Sequence, residues 1–155
     1  MQKAIIFEEY QQAFNQLICL PIIDVFKAAG TELFFVIKNK SNEKLSLVVD
    51  GVWHYENEDY QFLSDFKDDG ETALELYERI GEFVEQKLKN KVKSISEFKF
   101  DEKAKRVSII FNDQSVINVL ANEFGLISVS NYQKKEAVLA KKQDNGQIAF
   151  FSEVD

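Results

Sequence analysis

The chain has 155 residues, 45% of them hydrophobic and 29% charged, with six Gly and one Pro; such a chain fits one globular domain and no disordered or fibrous class. Its 26 acidic and 19 basic residues give a net charge of −7. That balance argues against a long nucleic-acid-binding surface, because phosphate contacts need clustered Lys and Arg.

A first helix is expected from about Phe7 to Ala29, since Phe7, Tyr10, Phe14 and Leu17 recur three or four residues apart and mark one apolar face. Pro21 removes one ladder hydrogen bond and crowds the carbonyl of Leu17, so a kink or a second helix is expected there. Cys19, inside the apolar run Leu-Ile-Cys-Leu-Pro-Ile-Ile, reads as a small buried core residue. With one cysteine no intramolecular disulfide can form. Gly30 is a natural helix stop. Strands follow at Glu32–Lys38 and Leu45–Asp50. Asp50-Gly51 is a two-residue hairpin signal, which makes Val52–Tyr55 the third strand of a meander.

The second helix has the clearest signature. Thr72 and Glu75 have capping-box spacing, and Ala73, Tyr77, Ile80, Val84 and Leu88 form an apolar stripe. Lys87, Lys89 and Lys91 sit where the helix dipole favours cations. Strands are then expected at Ser96–Phe100, Val107–Phe111, Val116–Leu120 and Leu126–Asn131, with a final hairpin of Glu136–Lys142 and Ile148–Ser152 around Asn145-Gly146. The segments Leu45-Ser-Leu-Val-Val-Asp and Val107-Ser-Ile-Ile-Phe-Asn align, which raises a pseudo-repeat of residues 7–55 and 71–120 within a single domain, 1–155. The expected class is α+β: a mostly antiparallel sheet with two principal helices on one face, tandem α-β-β-β units and a C-terminal β hairpin.

The longest apolar run, Leu17–Ile23, is too short to cross a membrane. The apolar stretch in Met-Gln-Lys-Ala-Ile-Ile-Phe ends at Glu8 and Glu9, too soon for a secretory core, so a cytoplasmic location is expected. In that compartment the Asn39-Lys40-Ser41 sequon carries little weight.

One His and one Cys exclude an ordinary zinc site held by one chain. A calcium loop aligned on Gly70 fails, because Lys67 and Leu76 fall where oxygen ligands belong. No GxSxG elbow, phosphate loop or dinucleotide fingerprint occurs. His54, in Val-Trp-His-Tyr-Glu, reads as a partly exposed strand residue. No catalytic residue, cofactor or metal ligand is assigned, and the chain is read as no enzyme.

What remains is where the charge lies. Residues 56–71 hold seven acids and one Lys, while the other 139 residues hold nineteen acids and eighteen bases. Aromatic side chains are interleaved with the acids. Clustered acids speed encounter with a cationic partner, and Trp and Tyr are enriched as interface anchors. The candidate partner-binding residues are therefore Glu56, Glu58, Asp59, Asp65, Asp68 and Asp69 for charge, with Trp53 and Tyr60 as anchors. A solvated connector whose aromatics belong to the core is the competing account of the same segment.

In size, acidity and missing catalytic machinery the chain resembles the small immunity proteins that bacteria make against their own secreted toxins. That resemblance implies a basic protein partner, such as a nuclease-type toxin domain, neutralised by occlusion of a cationic cleft. It implies no nucleic acid, membrane or cofactor. Two other classes stay open: a small-molecule-binding domain or unrecognised enzyme with an aromatic-lined pocket, and an adaptor or assembly subunit.

Overall fold

The architecture is that of a computed structural model, which describes residues 1–101, 103, 106–119, 127–131 and 133–154. Its elements in chain order are β1 (Gln2–Ile5), α1 (Phe7–Asn15), β2 (Ile22–Lys27), β3 (Leu33–Lys38), β4 (Lys44–Val49), β5 (Trp53–Glu56) and β6 (Gln61–Leu63). There follow α2 (Ala73–Phe83), continued by a π-helical turn (Val84–Leu88), then β7 (Ile95–Asp101), β8 (Arg106–Phe111) and β9 (Val116–Val119). The chain ends with β10 (Ile127–Asn131), β11 (Glu136–Lys142) and β12 (Ile148–Val154). The class is α+β, as expected.

The strands divide between two antiparallel sheets. A seven-stranded antiparallel sheet has the order β1-β12-β11-β10-β4-β3-β2, and a five-stranded one has the order β6-β5-β9-β8-β7. Every second residue of β3 (Leu33, Phe35, Ile37) and of β8 (Val107, Ile109, Phe111) is buried, as period-2 side-chain geometry requires. These inner faces meet, with the Phe35 and Phe111 rings 5.5 Å apart. Each helix fills a different part of the seam. Tyr10 and Phe14 of α1 pack on Phe98 and Phe100 of β7, and Tyr10 also reaches Phe150 of β12. Phe83 of α2 packs on Trp53, Tyr55 and Phe62 of β5 and β6.

The first helix is shorter than the pattern implied. It ends at Asn15, and Ile22–Lys27 forms β2 instead of a second helical half. Three of those six residues are β-branched, and Pro21 cannot donate to a helical ladder, so a strand wins. The carbonyl of Pro21 accepts from Lys38 N–H, and Ile22 N–H donates to Lys93. Gly30 takes a positive φ of 63° in the β2–β3 turn rather than at a helix end. Cys19 is exposed, not core: it occupies the turn after α1 with φ of 66°, and its N–H bonds to Ile95.

Asp50-Gly51 makes no hairpin. Only Gly51 of the pair has positive φ, so a type I′ turn, which needs both, does not form. The chain instead crosses to the other sheet, where β5 pairs with β6 and β9. Strands β1 and β6 carry no strong sequence pattern and were not expected. The Asn145-Gly146 hairpin forms between β11 and β12. Leu120 and Leu126, placed in strands by the sequence, lie outside the described residues.

Each helix is followed by a three-stranded meander, β2-β3-β4 and β7-β8-β9, with a register shift between Ile22 and Asp24 in one and between Ile95 and Glu97 in the other. The two segments that align in sequence occupy unlike places, Leu45 onward in the third strand and Val107 onward in the second.

Gly81 lies inside α2, and a Cβ there would meet nothing within 4 Å. Gly81→Ala should therefore stabilise the fold by about 0.5–1 kcal/mol through helix propensity alone, measured as a rise in the denaturation midpoint. A fall in the midpoint would mean that the helix surface at Gly81 is occupied in the isolated chain.

Candidate functional site

The acidic segment is folded, and Trp53, Tyr55 and Phe62 in and beside it are buried, as the connector account expects of its aromatics. Glu56 and Gln61 close the β5–β6 hairpin, and Asn57 N–H bonds to the Tyr60 carbonyl across its tip. Glu58 and Asp59 are exposed at that tip. Beyond β6, the chain returns over α2 and is fastened by Arg79. The Arg79 guanidinium donates to both oxygens of Glu71 at 2.9 and 3.0 Å, and to the carbonyls of Asp65 at 2.8 Å and Leu63 at 3.3 Å. It also lies 5.1 Å over the Phe62 ring. One planar side chain thus pins three points of the loop to the helix, which suits the fork geometry of arginine.

Glu71 is consumed by this clasp. Its side chain is only 10% exposed, and it also accepts from Lys67 N–H at 2.8 Å. The bonds from Arg79 and then from Lys67 N–H hold its pKa below the usual 4.5. The capping box of Thr72 and Glu75 forms as expected and starts α2 directly after the clasp.

The other acids of the segment face outward. Asp65, Asp68 and Asp69 are exposed and Glu56 is half-buried. Asp65 and Asp68 accept local N–H groups, from Phe66 and Gly70, at 2.8 Å each, which orders the loop and leaves their charge on the surface. The anchors divide. Trp53 is 0% exposed, with its indole N–H donating to Thr31 at 2.9 Å and its ring packed on Phe62 and Phe83. It is core, and cannot serve as a surface anchor: its strand face points between the sheets. Tyr60 is half-buried, stacked near Phe83, with Lys87 Nζ 4.6 Å over its ring. Phe62 is a buried strand residue, whereas Phe66 is 50% exposed.

Four functional candidates were missed. Glu75, Glu78, Glu82 and Glu85 are all exposed on α2 and its π-helical continuation. Their spacings of three, four and three place them on one helical face. The Arg79 clasp lays the acidic loop beside that face. The acidic surface therefore runs over residues 56–85, which hold eleven acids and two bases; the rest of the chain holds fifteen acids and seventeen bases. Among the described residues, only Glu71 and Glu85 of these eleven form ion pairs, with Arg79 and Lys89. Exposed Leu63, Phe66 and Leu74 lie within the same stretch. A groove of about 420 Å³ separates the loop from α2, lined by Tyr60, Leu63, Phe66 and Glu82 among others.

His54 is half-buried on β5, opposite Asn118 and Leu63. Among the described residues no group of three or more His, Cys, Asp or Glu side chains is placed to hold a metal ion. No described helix is long and apolar enough to cross a membrane.

Three outcomes follow from this geometry. Phe83→Ala removes the ring that joins α2 to β5 and β6 and should destabilise the chain by about 3–5 kcal/mol, read by denaturant unfolding. The one Trp should fluoresce with a blue-shifted, iodide-inaccessible emission; a red, quenchable emission would contradict its burial. Glu71 has a lowered pKa, so its stabilisation is present above about 4.5 and is lost as pH falls through the lower folded value. Glu32 behaves oppositely: burial, then Asp50, raises its pKa, so its contribution is lost as pH rises through that raised value. Glu71→Gln should therefore flatten the acid limb of the stability curve below about pH 4.5. An unchanged limb would show that the clasp does not persist in solution.

Compared with known proteins, the chain matches no family model, no curated protein and no solved structure.

Proposed function

We propose that this chain is a protein-binding module whose 56–85 surface docks a basic protein, and that it acts as an immunity-type inhibitor of a cognate toxin. Residues 56–85 hold eleven acids against two bases, with Glu71 spent on Arg79 and with Lys87 and Lys89 adjoining; the remaining acidic excess supports this reading, because such a field attracts a cationic cleft and steers its approach. Unpaired exposed carboxylates close together raise the energy of the isolated chain through like-charge repulsion, and a cationic partner relieves it. Exposed Leu63 and Phe66, which line one groove with Asp65 and Glu82, and exposed Leu74 add apolar surface within the same stretch, as interface cores require. Inhibition is by steric and electrostatic occlusion and needs no bond-making step, cofactor or metal. The chain acts in the cytoplasm of the cell that makes the toxin.

The experiment is a neutralisation and binding assay against a basic toxin domain, chosen by testing first whatever toxin genes adjoin the gene of this chain. The unaltered chain should block the toxin, with association that slows steeply as salt is raised. Asp65→Lys combined with Asp68→Lys should slow association by at least about tenfold and flatten its salt dependence. Unchanged kinetics in the double variant would remove the acidic surface from the interface.

A further inference from the structure

We infer that the groove between β2 and the outer side of α2 seats an arginine side chain of the basic protein partner. This rests on the docking reading above and narrows it to one contact. The groove has a volume of about 610 Å³, with Phe26 on one wall and Gly81, Glu78, Glu82 and Glu85 on the other. Phe26 is 39% exposed although Phe34 stacks on it at 5.1 Å with the rings 5° apart. A large aromatic side chain is thus held rigid while part of it stays open beside three carboxylates.

Charge complementarity selects the occupant. Lys27 is the one cation lining this groove, and it is engaged elsewhere, donating to the Ala28 carbonyl at 2.8 Å and lying 5.0 Å over Tyr77. Lys89 reaches Glu85 at 3.7 Å, while Glu78 and Glu82 have no ion pair among the described residues. The groove on the other side of α2 is different, because Arg79 and Lys87 already cover its Phe62 and Tyr60 rings.

Gly81 supports the same conclusion. Neither a positive φ nor a crowded Cβ position demands glycine there, although glycine weakens a helix interior. What it provides is bare backbone facing the groove, so that a ligand can approach closely. A guanidinium fits better than an ammonium, because it stacks flat on a ring while its fork pairs with carboxylates.

The test uses the full chain and two probes, nona-arginine and nona-lysine peptides, titrated at low salt with backbone amide chemical shifts as readout. Nona-arginine should bind about threefold or more tightly than nona-lysine, with the largest shifts at Phe26, Gly81 and Glu82. Phe26→Leu and Gly81→Gln, checked for an unchanged fold by circular dichroism, should each abolish that preference. Equal binding of the two peptides, a preference that survives both substitutions, or shifts confined to residues 56–71 would overturn the arginine seat and leave the acidic docking surface standing. Failure of both peptides to bind would overturn the two together.

Discussion

The Arg79 guanidinium decides where the charge of this molecule sits. It is the one base between Asp68 and Gln86, and it is spent on holding the acidic loop against an acidic helix. Without it, the carboxylates of the loop and those of α2 would repel one another and separate. With it, Glu71 and the carbonyls of Leu63 and Asp65 are drawn to the helix surface. The clasp neutralises Glu71, Lys89 pairs with Glu85, and the other nine acids of residues 56–85 have no ion pair among the described residues. Beneath it, the stacking of Phe62 and Phe83 at 4.3 Å supplies the apolar floor on which the loop rests.

Much of the class and the strand inventory was legible from alternation and from the Thr72–Glu75 capping pair. The failures have local causes. Phe7, Tyr10, Phe14 and Leu17 mark a real helical face, but the β-branched run after Pro21 belongs to a strand, and periodicity alone does not separate a helix end from a strand start. Asp50-Gly51 resembles a hairpin turn in composition, yet tertiary packing sends Trp53 and Tyr55 into the second sheet. Division of the strands between two sheets depends on long-range pairing such as β4 with β10, which no local motif encodes.

The candidate site was half legible. The acidic loop is legible as a run of like charge that ends at Glu71, where the helical pattern begins. The spacing of Glu75, Glu78, Glu82 and Glu85 was visible in the sequence as an exposed helical face opposite the apolar stripe. That this face adjoins the loop was not, since the contact is made through Arg79. Trp53 illustrates the reverse error: aromatic content near acids marks an interface only when the side chain is outside, and burial of a strand residue is set by register with its neighbours.

Loop and helix therefore form one acidic, partly apolar surface on a scaffold whose two sheets bury a shared apolar core. The most direct test of its role is hydrogen–deuterium exchange on the chain alone and in the presence of a nona-arginine peptide as a cationic probe. Slowed exchange concentrated in residues 56–85 is the predicted result. Slowed exchange confined to the outer face of the seven-stranded sheet, with 56–85 unchanged, would contradict the account.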